Sequence, residues 1–220
     1  MVLASFFLSP LTAQNEYQYG ILPTLNINKA LVNGWKINFK TESRQQFGRG
    51  IFDDEREEGY EYLLTDFALL TSRKIQFNTT IAGGYQIRFR AGKIIHRTIQ
   101  QLVYRQAYSN FRVAYRLSTD QTFTLNEDTE FRFRFRVSSE FPLSGTGVDI
   151  KEFYLKVNNE YLNAFEGETY DLEIRLVPVL GFQMADNIKI ESGLDYRLDS
   201  FVAGDHRQRW WGVIASYFSF

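Results

Sequence analysis

The stretch EFRFRFRV at 130–137 places three arginines at alternate positions, with aromatic residues between them. Arg132, Arg134 and Arg136 each carry a permanent positive charge, so a surface that displays them favours anions. Because successive side chains of a strand point to opposite faces, the same stretch also has one wholly apolar face. The pattern predicts a strand that separates an apolar environment from a charged one.

Two other groups of residues have types that could carry chemistry. Asp205 precedes His206, and a carboxylate beside an imidazole can activate a water molecule for hydrolysis. The acidic run Asp53–Glu58 could attract a divalent cation, but its spacing is not that of a calcium loop. Charge runs are usually solvated loops, and the chain has no nucleophile elbow. We therefore expect no enzymatic activity, no metal site and no cofactor, and a rim hydrolase that uses Asp205 and His206 is only a remote alternative.

The composition excludes further classes of function. The chain has 220 residues, with 25 basic and 26 acidic residues and no cysteine. The lack of cysteine excludes disulfides, thiolate metal sites and cysteine nucleophiles. Nucleic-acid platforms stack bases on the face that carries the basic groups, whereas alternation here separates rings from guanidinium groups. No nucleic-acid partner is expected.

The first residues, MVLASFFLSPLTAQ, form an apolar run that ends in small residues. This predicts that residues 1–13 are a secretory signal peptide, cut after Ala13, whose missing basic region indicates a truncated start. The alternative is that these residues form an apolar first strand, although Pro10 and the polar sequence that begins at Gln14 disfavour it. Residues 14–220 then form a single domain. None of its segments approaches the ~18 apolar residues of a membrane-spanning helix.

Alternation of apolar and polar residues recurs along the whole chain, for example in YDLEIRL at 170–176 and IKIESGLDYRLD at 188–199. Segments of about ten residues match tilted membrane-spanning strands better than the ~5–6 residues of a soluble strand. Only a closed barrel pairs every backbone group of such strands in hydrocarbon. We therefore predict an all-β fold, a single closed antiparallel transmembrane up-and-down β-barrel.

The predicted number of strands is 10–12. Eleven segments can be counted, but bacterial single-chain barrels have even numbers, which favours twelve. The parity is mixed at 94–108, residues 60–71 are apolar on both faces, and Pro178 predicts a bulge or a strand end. Tight connections near 72, at 108–110 and at 185–187 contrast with long polar ones at 48–59 and 201–208. By analogy with short periplasmic turns and long external loops, we expect the long ones to face the outside.

The chain ends in WWGVIASYFSF, an alternating apolar strand that stops on Phe220. Such an end resembles the strand that the outer-membrane assembly machinery recognises. The stretches QLVYRQAYSNFRVAYRLSTDQTF at 101–123, FRFRFRV at 131–137 and LDYRLDS at 194–200 are similar to domain-of-unknown-function family 2490, a family of Gram-negative outer-membrane barrels. The resemblance implies a barrel and an outer-membrane location, and it provides no activity and no site residues.

The predicted function is an exported outer-membrane barrel, acting as a small passive porin-like channel with an arginine-rich, salt-bridged lumen and an unknown substrate. The alternative is a non-conducting structural barrel or an accessory subunit of an envelope complex. Expected partners are outer-membrane lipid, the barrel-assembly machinery through Phe220, and an unidentified envelope protein. The side chains predicted to line the lumen are Lys36, Lys40, Arg44, Arg88, Arg112, Arg116, Arg132, Arg134, Arg136, Glu152, Asp171, Glu173, Arg175, Glu191 and Asp195.

Overall fold

The computed structural model describes residues 16–52, 56–200, 202 and 206–220. The predicted signal peptide at 1–13, the acidic residues Asp53–Glu55 and Asp205 lie outside the described residues. No helix within the described ranges is long and apolar enough to cross a membrane.

The described residues form one closed sheet of eleven strands, and a 3-10 turn at Val32–Gly34 joins the first two. The strands are β1 Glu16–Ala30, β2 Trp35–Ile51, β3 Arg56–Lys74, β4 Thr79–Arg90, β5 Lys93–Ala107, β6 Arg112–Phe123, β7 Glu130–Pro142, β8 Phe153–Glu166, β9 Thr169–Ala185, β10 Ile188–Asp199 and β11 Arg207–Ser219.

Each strand pairs antiparallel with the next one along the chain, and β1 closes the barrel by pairing in parallel with β11. The parallel pair runs in register from Glu16 opposite Arg207 to Asn28 opposite Ser219. The predicted closed barrel is therefore present, but the preference for twelve strands was wrong. An up-and-down sheet closes with an odd number of strands when its first and last strands run in the same direction.

An odd number of strands places the described chain ends at opposite ends of the barrel. We call them the Glu16 end and the Phe220 end. The tight connections predicted near 72, at 108–110 and at 185–187 correspond to connections at the Phe220 end. The prediction of a long connection at 48–59 was largely wrong, because β2 runs to Ile51 and β3 begins at Arg56, whereas the one predicted at 201–208 precedes β11, which begins at Arg207; both connections are at the Glu16 end. Connection length does not separate the ends fully, because 143–152 is long at the Phe220 end and 91–92 and 167–168 are short at the Glu16 end.

Inward-facing aliphatic residues explain why the alternation of apolar and polar residues is weak in two strands, β3 and β5. Leu64 and Ala68 on β3 and Ile99 on β5 are buried, and all three line the barrel interior. Both faces of these strands therefore carry apolar residues over part of their length. Pro178 lies inside β9, opposite Val157, and not at a strand end. On the other side of β9, Val179 and Leu176 have register partners on β10, but Pro178 between them has none. The missing N–H of Pro178 therefore falls where the hydrogen-bond ladder is interrupted.

Candidate functional site

The barrel interior contains a charged cavity of about 1190 Å³ that is open toward the Glu16 end. Fifteen basic and nine acidic side chains line it. The buried carboxylates of Asp120, Glu160 and Asp199 lie behind this lining and accept hydrogen bonds from its arginines. Basic side chains remain in excess when these three are included, so the cavity has a positive electrostatic character.

Asp120 on β6 is the centre of the first arginine cluster. Its side chain is 0% exposed, and its two oxygens face Arg132 at 2.5 Å, Arg134 at 2.6 Å and Arg97 at 3.4 Å. The Arg132 Nε also donates a hydrogen bond of 2.6 Å to Asp120 Oδ1. One carboxylate thus holds three guanidinium groups from two neighbouring strands, β5 and β7. Burial strengthens these charge-assisted bonds and makes the carboxylate costly to remove.

Glu160 on β8 is the centre of a second cluster and is 1% exposed. Arg116 and Arg136 each donate to Glu160 Oε2 at 2.7 Å, and Arg175 donates to Oε1 at 3.2 Å. These arginines come from β6, β7 and β9, so the cluster connects four strands through one carboxylate. Arg175 also donates to Glu173 at 2.5 Å, which extends the cluster along the wall.

Bidentate ion pairs hold further arginines of the cavity wall in fixed positions. Arg88 donates two hydrogen bonds of 2.7 Å to the carboxylate of Asp66. Arg197 donates to Asp195 at 2.9 and 2.7 Å. The planar guanidinium fits a carboxylate in this way, so these groups are rigidly placed and locally neutral.

A second cavity of about 660 Å³ lies at the Phe220 end. Lys156, Glu191 and Tyr217 line both cavities, so they stand at the boundary between them. Glu191 accepts hydrogen bonds from Tyr154 at 2.8 Å, from Lys156 at 2.5 Å and from Tyr217 at 2.9 Å. We call these four residues the Glu191 cluster. It connects β8, β10 and β11 across the interior.

A glycine opposite Tyr154 makes room for that ring. The Tyr154 side chain is 0% exposed, and a Cβ atom on Gly181 would lie 2.1 Å from its Cζ. The two residues are register partners on β8 and β9. The tyrosine therefore lies flat against the backbone of the next strand, and its hydroxyl reaches Glu191.

Most of the side chains predicted to line the lumen lie at the two cavities. Lys40, Arg44, Arg88, Arg116, Arg132, Arg134, Arg136, Glu173, Arg175, Glu191 and Asp195 line the larger one, and Lys36 lines the smaller one. Arg112 lies 3.6 Å from Glu140 near the Phe220 end, and Asp171 accepts a hydrogen bond of 3.1 Å from the Ser200 N–H. Glu152 lies outside the strands, in the connection before β8, where it accepts a hydrogen bond of 3.1 Å from the Asp149 N–H.

Sequence reasoning missed several members of the site. Asp120 shares the parity of Arg112 and Arg116 on β6, so the alternation alone was sufficient to place it inside. Arg97 was hidden because its strand also turns Ile99 inward.

The structure adds little evidence for the enzymatic or metal chemistry that the sequence suggested as remote alternatives. Asp205 is outside the described residues, and His206 stands just before β11. Within the described part of the chain, no three His, Asp or Glu side chains are grouped as a metal ion requires.

Fold and interior together define a closed eleven-stranded β-barrel with an arginine-rich, ion-paired lumen. The family model described as "Protein of unknown function (DUF2490)" matches residues 20–208. The chain belongs to this family, as its sequence patterns predicted. Neither the curated proteins nor the solved structures yielded a match.

Proposed function

We propose that the chain is an integral outer-membrane β-barrel whose lumen acts as a small passive channel that favours anions. The two faces of the wall carry this proposal. On β7, Phe131 and Phe133 point outward and are 55% and 43% exposed. The side chains of Arg132 and Arg134, which alternate with them, point inward and are 10% and 14% exposed. Every strand from β2 to β11 has at least one exposed large apolar residue.

Such an outward face is a liability in water and is stabilised by contact with lipid. Contiguous apolar patches of this extent are rare on monomeric soluble proteins, because they promote association. Contact with hydrocarbon stabilises the outward apolar side chains, and closure of the sheet gives the backbone N–H and C=O groups of the strands their hydrogen-bond partners. Outer-membrane lipid is thus the proposed partner of the outer face. Recognition of β11 by the assembly machinery and the absence of enzymatic activity stay predictions.

The excess of basic side chains supports a preference for anions. A cationic constriction lowers the electrostatic barrier for anions and raises it for cations. The largest groups of arginines surround Asp120 and Glu160, and their members come from β5, β6, β7 and β9. An anion that crosses the lumen must pass these clusters.

Conductance in planar lipid bilayers tests the channel. Under a salt gradient we expect reproducible steps and a reversal potential that indicates anion preference. Replacement of Arg132, Arg134 and Arg136 by Gln should reduce that preference at least severalfold, since three lumen charges are removed. The matched control is Arg73→Gln, because Arg73 stacks over Trp35, 5.5 Å from its ring centroid, on the outer face. A folded barrel with cation preference, or with equal effects of both changes, contradicts the proposal.

The second candidate is a non-conducting structural or accessory barrel. The Glu191 cluster favours it, because hydrogen-bonded side chains from three strands lie at the boundary between the two cavities. In that case the folded protein inserts into bilayers without conductance steps, and it copurifies from membranes with a fixed envelope partner.

A further inference from the structure

Arg44 on β2 differs from its neighbours in the distance to its acidic partner. Arg88, for comparison, donates two bonds of 2.7 Å to Asp66. The Arg44 Nη2 lies 3.7 Å from Glu42 Oε1, beyond hydrogen-bond distance. The same Glu42 carboxylate already accepts a hydrogen bond of 2.6 Å from Lys40. Arg44 therefore carries a charge that its surroundings neutralise only in part.

Arg44 is nonetheless buried and directed toward the larger cavity. It is 8% exposed and belongs to the cavity lining. Its Nε is buried and has no hydrogen-bond partner among residues 16–52, 56–200, 202 and 206–220. An incompletely paired guanidinium in such a place costs free energy unless an acceptor satisfies it.

Trp211 on β11 packs against the Arg44 guanidinium. The Arg44 Cζ lies 5.3 Å from the centroid of the Trp211 ring, and this tryptophan is 0% exposed. The indole Nε1 is also buried without a hydrogen-bond partner in the described part of the chain. Buried indole N–H groups usually find an acceptor. Trp211 itself does not line the cavity, so it supports the guanidinium from behind, and Arg44 is the member of the pair that faces the cavity.

The closure of the barrel places the indole under Arg44. Gly20 on β1 is the register partner of Trp211. A Cβ atom on Gly20 would lie 2.8 Å from Trp211 Cζ3 and 2.0 Å from the Gln45 carbonyl oxygen, so a glycine is required there. Arg197 and Arg209 add positive charge around Arg44.

We propose that Arg44, stacked on the Trp211 ring, forms a binding site for a small oxyanion, a carboxylate or a phosphate, that enters the larger cavity. The anion accepts hydrogen bonds from the Arg44 guanidinium, and its charge neutralises Arg44. A guanidinium on an aromatic ring presents its donor edge in a fixed plane, which suits a group with two or more oxygens. This inference rests on the proposed function only in naming the class of solute that the lumen favours.

The fluorescence of Trp211 measures occupancy of the site. The chain has three tryptophans, so replacement of Trp35 and Trp210 by Phe leaves Trp211 as the only emitter. We expect inorganic phosphate, added at constant ionic strength to the folded protein in detergent, to change this fluorescence saturably. Arg44→Gln in the same background should weaken the apparent affinity at least tenfold. The control Arg112→Gln should leave it unchanged, because the Arg112 side chain is 58% exposed and pairs with Glu140 near the opposite end.

Calorimetric titration of the unaltered chain with phosphate keeps the inference testable if Arg44→Gln does not fold. Saturable heat with about one phosphate per chain supports the site. No saturable heat, a fluorescence change that chloride reproduces equally, or an unchanged titration in folded Arg44→Gln overturns it. Binding is measured without a membrane, so a barrel that binds phosphate but does not conduct refutes only the channel, and one that conducts without binding refutes only this site.

Discussion

At the scale of single residues, Asp120 and Glu160 explain how a narrow barrel can hold so many arginines. Each carboxylate is almost fully buried and faces three guanidinium groups. Charges of one sign would repel each other strongly in such an interior without these acids. The arginines are therefore fixed in the wall, and the lumen keeps a rigid cationic surface.

Removing the Glu160 charge should destabilise the barrel severely. Glu160→Gln leaves Arg116, Arg136 and Arg175 facing one another without their shared acid. Loss of one partner of a buried ion pair typically costs about 3–5 kcal/mol, so we expect a decrease of that size in the free energy of unfolding. Urea unfolding of the protein reconstituted in lipid measures it.

The matched control is Glu127→Gln, in the connection between β6 and β7. Lys93 donates a hydrogen bond of 2.8 Å to Glu127 and thereby lowers the pKa of this carboxyl below its ordinary value, but both side chains are largely exposed. Exposed pairs contribute little to stability, so no change should be measurable. Equal unfolding curves for the two variants would show that the Glu160 cluster is not a stabilising centre.

At the scale of elements, the parallel pairing of β1 with β11 decides the architecture. It allows eleven strands to close, and it brings Gly20 opposite Trp211. A twelfth strand between these two would separate them by one more strand spacing of about 4.8 Å. The candidate oxyanion site depends on the same pairing.

Thiol cross-linking tests this pairing, because the chain has no cysteine of its own. Leu25 and Ser216 are register partners on the two strands. Cysteines at both positions should form a disulfide under mild oxidation, since neighbouring strands lie within the Cα separation of about 4.4–6.8 Å that a disulfide accepts. The control pairs Leu25→Cys with Gln208→Cys, eight residues farther along β11. Cross-linking that is absent, or equal in both pairs, contradicts direct contact of β1 with β11.

At the scale of the whole molecule, the two ends of the barrel are chemically distinct. The described chain starts at the Glu16 end, whereas β11 finishes at the Phe220 end. The larger, arginine-lined cavity is open toward the first of these ends, and the smaller cavity lies at the second. A barrel inserted in a membrane would therefore present a different opening to each side.

Labelling of single cysteines in intact cells tests this arrangement. Leu125 is 84% exposed in a connection at the Glu16 end, and Leu143 is 59% exposed in one at the Phe220 end. If the Glu16 end faces outward, a membrane-impermeant maleimide should label Leu125→Cys in intact cells and Leu143→Cys only after permeabilisation. Labelling of only Leu143→Cys in intact cells would show that the Phe220 end faces outward. Equal labelling of both would contradict a barrel that spans the membrane.

The sequence alone determined the class of fold and the face on which most charges lie. Alternation is a local property of a strand, so the stretch 130–137 reveals which side chains point to the same face without any tertiary information. The same reasoning placed Arg116, Arg175 and Asp195 at the cavity they line. It was weak for β3 and β5, because inward aliphatic residues remove the contrast between the faces.

Only the tertiary structure decided the strand number, the arginine clusters and the Arg44–Trp211 pair. Each depends on residues far apart in the chain, such as Arg116 and Glu160, or Gly20 and Trp211. Periodicity states which face a side chain occupies, but the acid that an arginine reaches is set by the register between strands. The position of Trp211 beneath Arg44 follows from the closure of the barrel.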